Sequence, residues 1–565
     1  MRVTALRSRA TGNHSICNCT SPLITRPTSR SVRHQQVLLR AAALADAQLD
    51  DTAAASYSST NSPTTLFSPR TDLQGSSGSY AASAGQATVS SAPLSFEHRR
   101  GIRDARGQLM LKNLPLPELE EWCASVGEPP KRARQLYRWL YGNRKWIRSL
   151  DEADSDPQAF SAAFKAKVSH SASLSGGLRL RSVHTARDGT RKLVYDLVGG
   201  EEEEEPAEAD REEEADAAEG RQEKEAGNAA GGAEAEGKGS GSSSSGRSSS
   251  SSSSHGNSSS VWGDGGKGAT VLTRGSVETV LIPMTNRSGQ NLRYTACLST
   301  QVGCAQNCQF CHTGRMGLLG HLSTAQIVEQ LVQARRYLAA EGVSTPIANV
   351  VFMGMGEPLH NYEAVMPAIE ILATGLELSR NKIIVSTVGL VPEMRRFLAA
   401  RVAKLAVSLH ATTDEVRDWL VPTNRRYPLE QLMGALREAF PYDKRKGDDF
   451  VVIEYVLLAG VNDSVEDAQR LLALTADVYC LVNLIVFNPH AGTPFQRSSP
   501  AAVFAFRGVF LAAGRPCTVR ASKGDDQMAA CGQLGDVGLA PKGPVPLRLQ
   551  LPSSSTPVSA AVVAA

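Results

Sequence analysis

The stretch Gly303-Cys-Ala-Gln-Asn-Cys-Gln-Phe-Cys-His312 places three thiols, Cys304, Cys308 and Cys311, at C-x3-C-x2-C spacing. A structural zinc ion takes four protein ligands, so three thiols do not complete such a site. A four-iron cluster also offers four ligand positions, and three protein thiolates leave one iron open to bind a substrate. The spacing therefore favours a cluster. Zinc, with His312 or a distant cysteine as fourth ligand, is the alternative.

The chain around this stretch alternates short apolar runs with helical segments. Runs rich in Val and Ile are typical of parallel strands that are buried on both faces. Six strands are predicted, at residues 293–299, 349–354, 382–386, 404–409, 450–457 and 482–487. The clearest helix begins after Ser323, which forms a predicted capping box with Gln326. Six β/α units predict an α/β fold with a partial (β/α)6 TIM-like barrel rather than a closed eight-stranded one.

Polar residues follow most of these predicted strands. In barrels of this type, functional side chains collect where strands end and loops begin. The cysteine loop follows the first strand, and Gly354-Met-Gly-Glu-Pro358 follows the second. Three further predicted strands end in polar residues, namely Ser386, Ser408 with His410, and Asn488. Five strands that end in polar or glycine-rich residues predict one site at this edge of the barrel, the rim. His410 alone is also compatible with a core histidine, and Asn488 alone with a turn.

The 565 residues are enough for two to four domains, but composition predicts that much of the chain is not globular. Residues 1–45 contain seven Arg and no Asp or Glu, which predicts a transit peptide, with an ordinary disordered extension as the alternative. Residues 46–107 predict a disordered linker. Residues 200–268, rich in Glu and then in Ser and Gly, predict a disordered insertion, and 541–565 a disordered tail. The core is predicted at 269–540.

Residues 108–199 predict a small N-terminal accessory domain of helices and strands. Helices are expected at 117–126 and 130–141, and the second interleaves basic with aromatic residues, namely Lys131, Arg132, Arg134, Tyr137, Arg138 and Trp139. Such a mixture suits RNA binding, and a solvated basic face is the alternative. A strand through Tyr195 resumes at 277–282, which predicts a hairpin whose turn has grown into the insertion. Loop closure costs little extra with length, so the hairpin tolerates it.

The formal net charge of +3 conceals an uneven distribution. Residues 201–236 carry 16 acidic and three basic residues, so the remainder has a net charge of +16. A basic excess suits a nucleic-acid partner without proving one. The ten cysteines show no secreted disulfide pattern, which favours a reducing compartment. No apolar run reaches the length of a membrane span, and we expect no membrane association.

Three wider stretches make a family resemblance specific. The triplet with Phe310 before its last cysteine resembles the radical S-adenosylmethionine superfamily. Residues 296–304, 349–358 and 529–534 resemble one branch of it, the RlmN/Cfr family of adenosine methyltransferases. The resemblance covers roughly 108–199 and 270–536. It implies a radical SAM barrel and an enzyme that acts on large-subunit rRNA and, in some members, on tRNA.

The resemblance also implies roles for individual residues. Cys304, Cys308 and Cys311 match the ligands of a 4Fe-4S cluster whose open iron binds S-adenosylmethionine. Residues matching the segments that contact this molecule are Gly356, Glu357, Ser386, Ser408, Leu409, His410 and Asn488. Cys531 matches a cysteine that is itself methylated. Cys297 matches its thiol partner and Glu278 the proposed proton acceptor.

The implied reaction uses two molecules of S-adenosylmethionine per turnover. An amidine carbon of adenine is a poor nucleophile, whereas a thiolate is a good one. Cys531 takes a methyl group from the first molecule. The second is cleaved reductively and removes hydrogen from that methyl group, which then adds to adenine carbon 2. Cys297 releases the product by forming a disulfide with Cys531, and Glu278 accepts the proton.

Several alternatives stay open at this point. The same chemistry at adenine carbon 8 is one, and a non-catalytic zinc-bound RNA-binding protein is another. We expect a monomer with an electron donor such as ferredoxin or flavodoxin. The leader favours the chloroplast stroma, with the mitochondrial matrix second, although the family resemblance by itself implies a cytoplasmic enzyme.

Overall fold

The computed structural model describes residues 94–142, 145–156, 160–198, 274–286, 290–444 and 447–535. The predicted transit peptide, nearly all of the predicted linker, the insertion and the tail lie outside these ranges. The predicted linker does not extend over residues 94–107. Phe96 and Ile102 are buried there, and Arg99 forms an ion pair with Glu118 of the following helix.

Fourteen strands are found in the described part of the chain. They are β1 (Leu109–Met110), β2 (Ala172–Ser173), β3 (Leu178–Thr185), β4 (Arg191–Leu197), β5 (Ser276–Thr285), β6 (Asn291–Cys297), β7 (Gln301–Gly303), β8 (Leu318–His321), β9 (Ile347–Phe352), β10 (Ile383–Thr387), β11 (Lys404–Ser408), β12 (Val451–Leu457), β13 (Cys480–Val486) and β14 (Cys517–Arg520). Ten of them form one sheet in the order β14–β13–β12–β11–β10–β9–β6–β5–β4–β3. β6 and β9 to β14 run parallel, whereas β5, β4 and β3 are added antiparallel to one another.

The parallel strands confirm the α/β prediction. Each of the six predicted strands is present, and β14 extends the parallel set by one. Among the described residues no pairing joins β14 to β3, so the sheet stays open, as a partial barrel requires. The hairpin predicted across the insertion is also confirmed, because β4 pairs antiparallel with β5. The strands that follow the N-terminal helices thus continue the edge of the core sheet.

Helices cover the sheet and connect its strands. They are α1 (Leu116–Ser125), α2 (Pro130–Tyr141), α3 (Ala162–Ser171), α4 (His312–Arg315), α5 (Thr324–Ala340), α6 (Tyr362–Thr374), α7 (Val391–Ala400), α8 (Asp414–Leu420), α9 (Leu429–Ala439), α10 (Val465–Leu474) and α11 (Pro500–Ala512). α5 begins with the predicted capping box: the Ser323 hydroxyl accepts the Gln326 N–H, and the Gln326 amide oxygen accepts the Ser323 N–H at 2.9 Å. Within the described residues, no helix is long and apolar enough to cross a bilayer.

Buried polar contacts fix α5 against the sheet. The Gln330 side chain accepts the Thr279 hydroxyl at 2.7 Å and the Ser299 N–H at 2.8 Å, and it donates to the Ser299 carbonyl. The Gln330 contacts set the position of β5 and β6, which carry two of the predicted site residues. Lys112 of the N-terminal segment lies 2.9 Å from Glu329 of α5, and both side chains are 2% exposed.

Two basic residues of α2, Arg132 and Arg134, have acidic partners within the protein. Arg132 lies 3.4 Å from Glu128 and above the Phe164 ring, and Tyr137 is buried. Arg134 remains largely exposed beside Glu120. The aromatic residue in the middle of the predicted basic mixture therefore packs into the core rather than facing solvent, and RNA binding by this helix stays a prediction.

Candidate functional site

The cysteine loop runs from the end of β7 to the start of α4. Gly303 adopts φ +71°, and a Cβ at this position would lie 1.9 Å from the Gly317 carbonyl oxygen, so only glycine allows this close approach. The Cys304 N–H donates to the same carbonyl at 2.9 Å. At the other end of the loop the His312 N–H donates to the Gly532 carbonyl at 2.8 Å. The loop is therefore held on both sides.

All three thiols of the triplet face one cavity. It encloses about 1000 Å³ of empty space including its open mouth, and it lies beside the exits of the parallel strands. None of the three is in a disulfide. Burial raises the pKa of Cys304 to about 12 and raises the pKa of Cys308 and Cys311 as well. Without a bound cation the thiols are therefore neutral, and metal binding has to release their protons.

The placement of the thiols distinguishes two kinds of metal centre. A zinc ion needs its sulfur ligands about 2.3 Å from one point. In the described part of the chain, no three His, Cys, Asp or Glu side chains converge in a way that could hold a single ion. An iron–sulfur cluster binds each thiolate to a different iron, so its ligands do not have to converge. Three thiols around one roomy cavity therefore fit the ligand set of such a cluster.

The predicted rim residues line the same cavity, with one exception. The lining set includes Gly356, Glu357, Ser386, Ser408, His410 and Asn488. The Leu409 side chain is instead fully buried in the core. Its N–H donates to the Glu454 carbonyl at 3.0 Å, and its carbonyl accepts from the Arg417 side chain at 2.9 Å. Leu409 thus positions its neighbours Ser408 and His410 rather than lining the cavity.

Glu357 is locked by backbone groups from two loops. Its carboxylate accepts the Leu359 N–H at 3.1 Å and the Val388 N–H at 2.9 Å. Its own N–H donates to the Gln301 side chain at 2.8 Å, and Gly356 at φ +100° packs against that same side chain. Burial raises the pKa of Glu357 to about 7. The carboxylate therefore ties the exits of β9 and β10 together.

His410 is a neutral hydrogen-bond donor toward its surroundings. Its Nδ1 accepts the Val456 N–H at 3.0 Å, and because a backbone N–H can only donate, the ring proton is on Nε2. Burial lowers the pKa of His410 to about 3. Its ring meets Phe310 of the cysteine loop edge-on, with ring centroids 4.9 Å apart. His410 therefore lines the cavity as a fixed, uncharged side chain.

Cys531 connects the large cavity to a second one. The smaller cavity has about 480 Å³ of empty space and is lined by Cys297, Cys531, Lys523 and Arg520, among others. Cys531 and Arg520 also line the large cavity, whereas Cys297 lines only the small one and the triplet only the large one. Both thiols are free. Cys531 therefore lies between the triplet and Cys297.

The two thiols differ in their access to solvent. Cys297 is buried at the end of β6, and this burial raises its pKa to about 12, although the nearby Arg520 acts in the opposite direction. Cys531 is reached by water from the cleft but is surrounded by protein atoms on its other sides. This surrounding raises its pKa, again opposed by Arg520. Arg520 is thus the positive charge shared by both thiols.

Hydrogen bonds fasten the loop that carries Cys531. The Asn488 side chain donates to the Cys531 carbonyl at 3.2 Å and accepts the Ser522 hydroxyl at 2.6 Å. The Gln533 side chain donates to the Pro489 carbonyl at 2.9 Å. Asn488 therefore lines the large cavity and also holds the Cys531 loop in this conformation, and its contact with S-adenosylmethionine, which the resemblance implies, stays a prediction.

Glu278 lies outside both cavities in this conformation. It is buried on β5, where one carboxylate oxygen is 3.3 Å from the Lys192 ammonium. The other oxygen accepts the Gly535 N–H at 2.9 Å. The structure therefore places the predicted proton acceptor against the segment that follows Cys531, not in the space where a substrate fits now.

Comparisons with known proteins bear on this arrangement. The family model of the Radical SAM superfamily matches residues 298–472. The dual-specificity RNA methyltransferase RlmN of Pelobacter propionicus is 37% identical over 428 residues, which are 75% of this chain and 95% of that protein. The protein of the same name from Syntrophobacter fumaroxidans is 35% identical over 75% of this chain and 97% of its own length.

The chain belongs to the RlmN/Cfr family.

A solved structure agrees with this membership. The crystal structure of a radical SAM methyltransferase from Sphaerobacter thermophilus is 33% identical, covers 75% of this chain and 98% of that chain, and superposes with a TM-score of 0.55. The Radical SAM match contains the cysteine triplet and the rim residues up to His410 but includes neither Cys297 nor Cys531. Both thiols lie instead in the part of the chain that surrounds the superfamily match.

Sequence reasoning missed three charged residues that this RlmN/Cfr member places at the site. Arg520 is the last residue of β14. It would have been found by looking for polar residues at the end of this seventh parallel strand, as for the other parallel strands. Glu454 is buried within the otherwise apolar β12, where a lone acidic residue was a visible signal. Lys192, which contacts Glu278, gave no signal, because the two residues lie on opposite sides of the long insertion.

Proposed function

We propose that the protein methylates carbon 2 of an adenosine in large-subunit rRNA, and also in tRNA, through a methylated cysteine. Relatives with 34–37% identity are named dual-specificity RNA methyltransferases, which supports an RNA substrate. The observation that carries the proposal is the position of Cys531, which lines both the cavity of the triplet and the cavity of Cys297.

The two thiols divide the reaction between them. Cys531 takes a methyl group from S-adenosylmethionine: its sulfur forms a bond to carbon as the sulfonium C–S bond breaks. After this carbon has joined adenine and the adduct has given up its unpaired electron to the cluster that the triplet would hold, Cys297 attacks the sulfur of Cys531. The carbon–sulfur bond breaks with its electron pair on the carbon, which takes a proton to become the methyl group of the product. The product leaves as the disulfide forms, and a thiol reductant has to restore both cysteines for the next turnover. Arg520 beside both sulfurs favours their thiolate forms.

The triplet and the rim residues prepare the other half of the reaction. Cys304, Cys308 and Cys311 would hold a 4Fe-4S cluster, which would supply the electron that cleaves a second S-adenosylmethionine, so that hydrogen could be removed from the methyl group on Cys531. Glu357 and His410 shape the space beside the triplet, and their buried, hydrogen-bonded side chains give it fixed walls. A ferredoxin or flavodoxin is the proposed electron donor.

The proposal is tested by supplying labelled S-adenosylmethionine and protein-free rRNA to the anaerobically reconstituted protein. We expect labelled 2-methyladenosine after nucleoside mass mapping, with tRNA labelled in a parallel reaction. Label at carbon 8 would change the proposed position of methylation and leave the proposed mechanism in place. Protein that contains zinc, no acid-labile sulfide and no methylating activity would contradict the proposal and favour an RNA-binding role.

The Cys297→Ala variant tests the division of labour. Without the second thiol, the bond between Cys531 and the methylated base cannot be resolved, so we expect a covalent protein–RNA adduct on denaturing gels. Cys123→Ala, which removes a buried thiol of α1 far from the cleft, is the matched control and should form no adduct. Free methylated RNA at the parent rate from Cys297→Ala would contradict the scheme.

We further propose the chloroplast stroma as the location, from the arginine-rich, acid-free leader. Sequencing the amino terminus of the protein isolated from its native source tests this. A mature terminus after about residue 45 supports cleavage of a transit peptide. Recovery of the intact terminus from the cytoplasm would contradict it, and recovery from mitochondria would move the location.

A further inference from the structure

The carboxylate of Glu278 has two different partners. Its Oε1 lies 3.3 Å from Nζ of Lys192, and the two side chains are only 8% and 12% exposed. Its Oε2 accepts the N–H of Gly535 at 2.9 Å. One oxygen is thus held by a charged side chain within the sheet, and the other by a backbone group beyond the cysteine loop.

Lys192 is a fixed partner. It lies on β4, and in the register of β4 with β5 it is opposite Val280, while Glu278 is opposite Val194. The two side chains are therefore diagonal neighbours on paired strands. The ammonium of Lys192 therefore holds Oε1 of Glu278 by a charge-assisted contact across the two strands.

Gly535 is an exchangeable partner. It follows Cys531 by four residues and adopts φ +134°, and a Cβ there would lie 2.4 Å from the Met316 sulfur. A movement of the loop that carried Cys531 toward a substrate would pull on this hydrogen bond, and its loss would leave Oε2 open.

We propose that Lys192 is the positioning residue for Glu278, holding the carboxylate through Oε1 while Oε2 exchanges the Gly535 amide for the proton of the substrate carbon. The inference rests on the proposed function. Once the base adduct has given up its unpaired electron to the cluster that the triplet would hold, the C–H bond of the substituted base carbon breaks, its electron pair stays with the base, and the proton passes to Oε2. Glu278 then returns the proton to water as the loop closes again.

Other titratable groups lie close to this pair. His312 at the start of α4 is next to Gly535, and Cys297 on β6 is paired with Val280 of β5. The test therefore changes Lys192 and leaves both of these in place.

The experiment compares Lys192→Met, Lys192→Arg and Lys112→Met in the full, reconstituted chain. Lys112→Met is the matched control because Lys112 also belongs to a buried Lys–Glu pair, at 2.9 Å, but away from the cleft. Three quantities are measured: the methyl group on the Cys531 peptide by mass spectrometry, the covalent protein–RNA adduct, and free methylated RNA across a pH series.

For Lys192→Met we expect normal methylation of Cys531, accumulation of the adduct, and release of RNA slowed by about tenfold or more. Lys192→Arg keeps the charge and should stay within about threefold of the parent at every pH. Lys112→Met should show neither the adduct nor the slowed release.

Two results would overturn the inference. One is release from Lys192→Met at the parent rate at every pH. The other is loss of Cys531 methylation and RNA release in equal proportion, which indicates a purely structural pair. If Lys192→Met does not fold, Lys192→Gln replaces it, and the same three quantities are measured against the same two results. A parent protein that methylates neither Cys531 nor RNA would instead contradict the proposed function.

Discussion

Two buried lysine–glutamate pairs in this protein have the same chemistry and different surroundings. In the first, Lys112 and Arg336 both contact Glu329, and the Gln333 side chain donates to it as well. In the second, Lys192 contacts one oxygen of Glu278, and the other oxygen binds only the backbone of the segment after Cys531. The first pair is saturated by fixed side chains, whereas the second keeps one exchangeable position. This difference separates a contact that stabilises the fold from one that can take part in a reaction.

The largest effect on activity is expected from a substitution at Cys531, in the cleft. Cys531→Ala removes the sulfur that carries the methyl group, so RNA methylation should fall by about a thousandfold or more. The cluster content and thermal unfolding should stay close to the parent, because Cys531 is exposed and its loop is held by other residues. Iron and sulfide analysis together with calorimetry checks this. Residual activity above a few per cent would remove Cys531 from the centre of the scheme.

The next effect is expected at the saturated pair. Lys112→Met leaves Glu329 buried next to fewer positive charges, so the free energy of unfolding should drop by about 3–5 kcal/mol. Activity per folded molecule should be unchanged. Urea unfolding and methylation assays on the same samples measure the two quantities. A stable variant with reduced methylation would show that the Lys112–Glu329 pair also takes part in the reaction, and would contradict the distinction between the two pairs.

The smallest effect is a pH dependence of stability. Burial acts to raise the pKa of Glu329, but Lys112 and Arg336 together outweigh it and hold the pKa below the ordinary value of 4.5. Because the folded protein favours the ionised form, the stabilisation is complete above about pH 4.5 and is lost as the pH falls through the lower, folded-state value.

Glu329→Gln is the matched variant for this pH effect. It should be less stable than the parent near neutral pH, and the difference in unfolding free energy should shrink in acid. Unfolding curves at several pH values between neutral and acid measure it. A difference that does not change with pH would mean that Glu329 is not held ionised by its two cations.

The sequence predicted the parallel strands well, because buried strands are continuous apolar runs whose limits are local. It also predicted most rim residues, since loops after parallel strands meet at one edge. The capping box at Ser323 was predicted for the same reason: its two partners are three residues apart. Local patterns therefore supplied the sheet and the triplet. The structure places six of the seven predicted rim residues on one cavity, and their contacts with S-adenosylmethionine stay a prediction.

Long-range pairing could not be predicted in this way. Nothing near Lys192 indicates that it lies against Glu278, because the contact depends on the register of β4 with β5 across the insertion. The buried position of the Leu409 side chain depends on the twist of β11 into its loop, where His410 adopts φ +60°. The family resemblance named Glu278, but only the folded chain shows that its oxygens are already occupied.

The most direct measurement follows the methyl group on Cys531. The reconstituted protein is incubated with S-adenosylmethionine that carries a deuterated methyl group, digested, and analysed by peptide mass spectrometry before and after rRNA is added. We expect deuterium label on the Cys531 peptide first and its transfer to adenosine after rRNA is added. Labelled adenosine from a protein whose Cys531 never acquires label would contradict it.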